Sequence, residues 1–375
     1  MTVSADVLIV GAGIVGAACA WELAKSRLRV AVVDQSFSAS GATGAAMGHI
    51  VVMDDSEAQF ALTRYSQSLW DDLRSELPPA VAYDPCGTIW VAANDEELAE
   101  VRRKSVYYRK RDLPTDILDA HQLQEAEPSL KAPPAGGLLV PADSVVYPPA
   151  ATAYFLERAA QLGATLHVGK RVAKLAQGRA YLEDGTILHA GRLVNASGQL
   201  AAKLTPGIPV KPRKGHLVIT DRYPGMIRHQ LVELGYLKSA HSVSSDSVAF
   251  NVQPRKTGQL LIGSSRQYGV EHHNVEPGIL SRMLHRAFEF IPSLSALSAI
   301  RVWTGFRPAT PDKLPLIGPW PDDLTLYLAT GHEGLGVTTS LATARLVSSH
   351  ILGITPQIPV EPYLPSRSLA EGLHA

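Results

Sequence analysis

The pattern of apolar and polar positions changes period along the chain. Val7–Val10 is a short β-branched run, Gly11–Gly16 a glycine turn, and from Ile14 to about Lys25 Ala, Leu and Trp recur at helical spacing. A second apolar run, Arg29–Asp34, follows, so strand, turn, helix and strand open a βαβ unit with a parallel sheet. Ser56 with Gln59 three residues on has the pattern of a capping box. Leu62, Tyr65, Leu69, Leu73 and Leu77 then predict a helix with one apolar stripe, ended by Pro78 and Pro79.

Further along, the spacing predicts a strand at Thr88–Ala92, a charged helix around Glu96–Arg111, and loops at Pro133–Pro134 and Pro148–Pro149. Ala150–Leu162 reads as a helix, Thr165–Val168 as a strand, and Tyr181–Leu188 as a tight hairpin around Asp184-Gly185. Leu193–Ala196 is a buried strand ending at Ser197-Gly198. Residues 207–302 alternate more strictly, as in His216–Thr220, Val248–Val252 and Gln259–Ile262, and predict a mostly antiparallel sheet. The chain closes on a strand (Thr325–Ala329), a glycine loop (Gly331–Gly336) and a helix (Val337–Ile351). The expected architecture is α/β: a nucleotide-binding domain assembled from residues 1–80, 145–206 and 303–375. A second sheet domain, 81–144 and 207–302, is inserted in it.

Composition narrows the function. Hydrophobic residues make up 46% and charged residues 19% of the 375, ordinary for a folded protein and wrong for a disordered one. The 35 basic residues balance the 35 acidic ones, which removes the electrostatic reason to expect nucleic acid or an anionic membrane. Only Cys19 and Cys86 carry thiols, so no disulfide framework or self-held iron–sulfur cluster is expected. The uncharged stretch Val7–Trp21 lacks basic flanks and is shorter than the roughly 20 residues that span a bilayer. A reduced, cytoplasmic protein without a membrane span is the expectation.

Gly11-x-Gly13-x-x-Gly16 follows a strand and opens a helix, and Asp34 ends the next strand; together these form a dinucleotide fingerprint. Gly11 permits the tight turn, Gly13 lets the backbone approach a pyrophosphate, and Gly16 lets helix pack on strand. The N–H groups of Ala12, Ile14 and Val15 lie around a helix end whose partial positive charge suits a diphosphate. Asp34, with Gln35 beside it, can accept hydrogen bonds from ribose hydroxyls, and its charge disfavours a 2′-phosphate. A ligand-free structural turn is the competing reading.

The C-terminal segments Arg301-Val-Trp303-Thr-Gly305-Phe-Arg307-Pro308, Pro315-Leu-Ile317-Gly318-Pro319 and Gly331-His332-Glu333-Gly334-Leu335-Gly336, taken with that fingerprint, resemble the D-amino acid oxidase / glycine oxidase family. Within it, Gly41–His49 and Gly331–Ser340 are most similar to two subunit types. These are the hydrogen cyanide synthase flavoprotein subunit and the β-type subunit of D-hydroxyproline dehydrogenase. The resemblance implies a FAD-binding Rossmann-type (glutathione-reductase-like) domain with an inserted, mostly antiparallel substrate domain. It assigns to FAD, besides the fingerprint and Gly305, the residues Ala42, Thr43, Gly44, Met47, Gly48, Val172, Ala196, Ser197, Gly198 and Gly331–Val337. Relatives with covalent flavin carry a histidine where this chain has Ala45, so non-covalent FAD is expected.

The same resemblance makes Arg307 the carboxylate anchor of an amino acid substrate, placing its Cα–H for hydride transfer to flavin N5; pairing with Asp312 or with the C-terminal helix is the alternative. Asn251 and Arg266 align with pocket positions where relatives carry an aromatic residue and a methionine, which suggests a polar substrate such as a hydroxylated ring; surface placement is equally open. His49 is a candidate beside the flavin, and Glu333 a candidate for the substrate amine. The implied activity is oxidation of D-hydroxyproline or a similar cyclic secondary amino acid, with electrons passed to a partner subunit or a quinone-type acceptor. A self-sufficient oxidase of glycine, sarcosine or D-amino acids, and a non-catalytic flavin-binding subunit, are the alternatives. Glu271, His272 and His273 invite a metal reading but lack a second ligand pair. The six basic residues within Arg102–Arg111 read as a solvated helix face, with a docking surface as the sharper alternative.

Overall fold

A computed structural model describes residues 4–131, 135–235 and 246–367; the loop expected at Pro133–Pro134 lies outside them. By its internal contacts the chain divides into two units. The first comprises residues 1–81, 146–212 and 306–375, and the second 82–145 and 213–305.

In the first unit β1 (Ser4–Val10) leads into α1 (Ile14–Lys25), β2 (Val30–Val33) and α2 (Glu57–Leu73). Then come α3 (Pro148–Gln161), β3 (Thr165–His167), β4 (Val172–Ala176), β5 (Arg179–Leu182) and β6 (Ile187–Asn195). The unit ends with β7 (Leu316–Trp320), β8 (Asp323–Thr330) and α4 (Gly336–Leu352). The sheet runs in the order β7-β8-β6-β1-β2-β3. β1 is parallel to both β2 and β6, and β6 to β8, so their carboxyl ends share one edge. Leu8, Val10, Ala31, Val33, Leu193 and Leu328 are buried in its core.

Three expectations are corrected. Pro148 and Pro149 start α3 rather than forming a loop, because proline suits a first helical turn whose N–H groups have no partner. Leu193–Ala196 is the end of the single strand β6, whose first half pairs antiparallel with β5 around the Asp184-Gly185 turn. On α2 the buried positions include Leu62, Ser66, Trp70 and Leu73, while Tyr65 and Leu69 are only half-buried. Ser66 Oγ accepts from Ala342 N, and Trp70 Nε1 donates to Val337 O and Thr338 O, so polar anchoring to α4 sets the face. Ser56 accepts from Gln59 N as expected, which is the cap's first half.

The second unit is built on an eight-stranded sheet in the order Ala299–Ala309, Lys211–Arg222, Gln259–Arg266, Ser247–Pro254, Gln230–Glu233, Thr88–Ala92, Gly136–Val140, Asp116–Asp119. It is mostly antiparallel, as expected, with one parallel pair between Gln230–Glu233 and Thr88–Ala92. Ile89, Val91, Leu231, Phe250, Val252 and Ile262 pack in a core with Met283 and Ala287 of the helix Pro277–Phe290.

Candidate functional site: a nucleotide cradle at the sheet's carboxyl edge

The carboxyl ends of β1, β6 and β8 gather three turns. Gly11 takes φ +113°, and a Cβ there would lie 2.4 Å from Ala196 O. A Cβ on Gly16 would lie 1.9 Å from Gly11 O, so glycine at both positions lets α1 start directly on the strand end. Thr330 at the end of β8 donates through Oγ1 to Gly198 O, tying the third turn to the Ala196–Gly198 turn after β6. Asp34 is a backbone clamp in its own right: Oδ2 accepts from Ala12 N at 2.7 Å and Oδ1 from Ser36 N at 2.9 Å. A carboxylate has about four acceptor positions, so two remain for other donors. Asp34 O also accepts from Lys170 N, which brings the approach to Val172 beside it; Gln35 is exposed.

Gly13 is the N-cap of α1; it has no capping side chain, and the first turn contains no acid. Ile14 N instead donates to Thr43 Oγ1 at 3.1 Å, which lays the 38–48 loop against the helix end. Ala39 N donates to Ala12 O, and Gly44 passes so close to Ala39 O that a Cβ would lie 2.5 Å away. Gly48, at φ +93°, exchanges contacts with Val146, while Met47 is buried and Ala42 exposed. A Cβ on Gly41 or Gly198 would meet nothing within 4 Å.

The closing loop meets this cradle. Gly336 lies beside Val15 of α1, at 3.9 Å from a built Cβ. Gly331 takes φ +80° and Glu333 φ +50°, and Glu333 N donates to Pro308 O. His332 is 4% exposed, and its Nε2 lies 2.9 Å from Thr343 Oγ1. Burial lowers its pKa from the usual 6.5 to about 3, so the imidazole is neutral. Thr338 Oγ1 donates to His49 O, joining the first loop to α4; His49 thus meets the site through its backbone. The N-terminus of α4 has no side-chain cap and no acid in its first turn.

Arg307 is half-buried, and its Cδ and Nε lie 3.7 Å from where a Cβ on Gly334 would stand. Asp312, the alternative partner, is engaged by Arg367 at 2.7 Å and by Leu314 N. Asn251, Arg266 and Gly305 belong to the second unit. Asn251 and Arg266 are 7% and 8% exposed, which excludes surface placement.

The other charged clusters have structural partners. His272 Nδ1 lies 3.4 Å from Lys214 Nζ, and among the described residues no group of His, Cys, Asp and Glu is placed to hold a metal ion. Of the basic run, Lys104 is buried against Trp90 and Tyr108, Arg103 pairs with Glu100, Arg109 donates to Thr115 O and Arg111 to Tyr107 O. Lys104 therefore leaves the run, while Arg102, Arg103, Arg109 and Lys110 are exposed, as a solvated face requires. Sequence reasoning missed Thr338, Thr343, Trp70 and Ser66; the hydroxyl run Thr338-Thr339-Ser340 opening an apolar helix was the signal available.

The cradle fits a dinucleotide. It offers two helix N-termini bare of acids, glycines where side chains would intrude, and a carboxylate with acceptor positions left over. Residues 6–350 match the DAO family model, described as FAD dependent oxidoreductase. The chain belongs to this family. It is therefore an oxidoreductase whose cofactor is FAD. Glycine oxidase of Geobacillus kaustophilus is 31% identical over 93% of both chains, and the hydrogen cyanide synthase subunit HcnC of Pseudomonas aeruginosa is 28% identical over 96% of both. The crystal structure titled glycine oxidase from Geobacillus kaustophilus superposes with a TM-score of 0.88, covering 98% of this chain and 99% of that one. That of L-proline dehydrogenase from P. horikoshii, at 24% identity, also gives 0.88 over 99% of both and shares the fold. Among the described residues no helix is long and apolar enough to cross a membrane.

Proposed function

We propose that this protein is an amino acid dehydrogenase that oxidises the C–N bond of D-hydroxyproline or a similar cyclic secondary amino acid. The observation that carries the reading is Arg307 lying on the Gly331–Gly336 loop at the N-terminus of α4, while Asp312 is neutralised by Arg367. In this reading the first unit binds FAD non-covalently through the cradle residues. FAD, when bound, takes up the hydride lost from Cα. Arg307 grips the substrate carboxylate with two charge-assisted hydrogen bonds and fixes the direction of Cα–H. A substrate amine that arrives neutral needs no protein base, and Glu333 of the same loop would recognise it. Water then opens the product imine. Two cysteines are too few for an iron–sulfur cluster held by this chain alone, so onward transfer in this reading would go to a partner subunit or a quinone-type acceptor in the cytoplasm.

The name of the relative at 31% identity supports a second reading, a self-sufficient oxidase of glycine or sarcosine. An anaerobic screen of amino acids for loss of visible flavin colour, D- and L-hydroxyproline and glycine included, tests both. Bleaching by hydroxyproline with slow reoxidation in air supports the first, and rapid peroxide release with glycine the second. No bleaching by any amino acid refutes catalysis and leaves a flavin-binding subunit. Arg307→Ala should raise KM by about two to four orders of magnitude, each of the two bonds contributing about 1.5–3 kcal/mol, while FAD stays bound. Unchanged KM in that variant would remove Arg307 from the substrate site. Colour that remains in the acid-precipitated pellet would contradict non-covalent attachment.

A further inference from the structure

His332 has a side chain that the chemistry above does not use. Its ring turns away from the loop it belongs to and reaches Thr343, two turns into α4, with Nε2 2.9 Å from Oγ1. Both groups are buried, His332 at 4% exposure and Thr343 at 0%. The loop needs holding: the residues on either side of His332 are both left-handed, Gly331 at φ +80° and Glu333 at φ +50°. A non-glycine residue persists in that conformation only where its surroundings fix it. Glu333 N to Pro308 O and Leu335 N to His332 O fix the main chain, and the imidazole–hydroxyl bond fixes the loop to the helix it precedes.

We propose that His332 is a positioning residue: through Thr343 it locks the Gly331–Leu335 loop to α4 and holds the N-terminus of that helix where it stabilises negative charge on reduced FAD. The inference rests on the reading that the flavin lies at this loop. Because burial keeps the imidazole neutral, the lock adds no charge of its own, and the helix end supplies the field. The imidazole of His332 touches neither substrate nor cofactor in this scheme and acts only through the loop.

The test compares His332→Leu, His332→Gln and Thr343→Val in the full-length holoenzyme. The readouts are the FAD dissociation constant, from fluorescence titration, and the midpoint potential of the bound flavin. Leu and Val each leave one buried polar partner unmatched, so each should weaken FAD binding about tenfold. The potential should fall, by about 30 mV for a two-electron couple if the loss is tenfold greater for reduced FAD. Gln has an amide nitrogen at the ε position and should restore most of both values, and the Leu/Val double variant should be no worse than either single. A potential within 5 mV of the unaltered protein in whichever of His332→Leu and Thr343→Val folds overturns the proposal, even if stability drops. Thr343→Val keeps the test open should the Leu variant fail to fold. Failure of the underlying reading looks different: the unaltered protein takes up no FAD.

Discussion

Replacing glycine by alanine inside a helix normally stabilises a protein, by about 0.4–1 kcal/mol. At Gly16 the sign should reverse. The added Cβ would lie 1.9 Å from Gly11 O and 3.4 Å from Ala196 Cβ, so α1 would have to retreat by about 1.5 Å to restore ordinary contact. Gly11 cannot give way easily, because its N–H is bonded to Val33 O and the next N–H to Asp34. On its other sides α1 buries Ala17, Ala18, Cys19, Ala20 and Leu23. Overpacking of this kind costs about 1–3 kcal/mol, and a backbone-on-backbone clash belongs at the upper end, so a net loss of about 2 kcal/mol is expected after the helix-propensity gain. For a unit of about 200 residues that lowers Tm by about 4–8 °C. Gly278 is the control: it is exposed near the start of the helix Pro277–Phe290, with nothing within 4 Å of a built Cβ. Gly278→Ala should therefore be neutral or raise stability. Thermal unfolding by circular dichroism, with FAD titration alongside, reads both. A Gly16→Ala protein as stable as the parent, with undiminished FAD affinity, would refute the argument.

Three other outcomes follow from named groups. The folded-state pKa of His332 lies near 3 against 6.5 unfolded, so its contribution to stability is complete above pH 6.5 and is lost as pH falls towards 3. The full loss is about 5 kcal/mol, and His332→Gln should flatten that slope in urea midpoints measured from pH 7 to 4. Glu127 is fully buried, and its Oε1 accepts from Arg228 N, His229 N and His229 Nδ1. Glu127→Gln should cost about 2–3 kcal/mol, visible as a lower urea midpoint, and an unchanged midpoint would show that the charge is idle. Burial, then Asp84, pushes the Cys86 thiol up to about 12. At pH 8 iodoacetamide should alkylate it about a thousandfold more slowly in the native than in the urea-unfolded protein, and comparable rates by mass spectrometry would contradict this.

The parts of the fold legible in the sequence are those specified locally. Gly11–Gly16 between an apolar run and a helix, Asp184-Gly185 between alternating residues, and the strand Thr88–Ala92 each depend on neighbours in the chain, and each forms where expected. What escapes is decided by distant partners. Tyr65 and Leu69 fit an apolar stripe on hydropathy, yet α2 turns Ser66 and Trp70 inward because α4 offers them an N–H and two carbonyls. Lys104 reads as part of a solvated helix face and is fully buried against Trp90 and Tyr108. Asp312 pairs with Arg367, near the far end of the chain, and no spacing rule could have chosen it over Arg307.

The cradle has the same division. Its pieces come from chain segments as far as 289 residues apart, joined by hydrogen bonds in which one partner is nearly always backbone. Thr43 meets Ile14 N, Asp34 meets Ala12 N, Thr330 meets Gly198 O, and Thr338 meets His49 O. A backbone group is present whatever the residue, so each link constrains one side chain instead of two. That halves what the sequence must specify, and it lets relatives sharing under a third of their residues keep the same geometry. It also explains why short glycine motifs at both ends of the chain revealed the site, whereas the side chain clamping the closing loop did not. Glycines are required wherever backbones approach closely, but the partner of His332 is a hydroxyl chosen by helix packing.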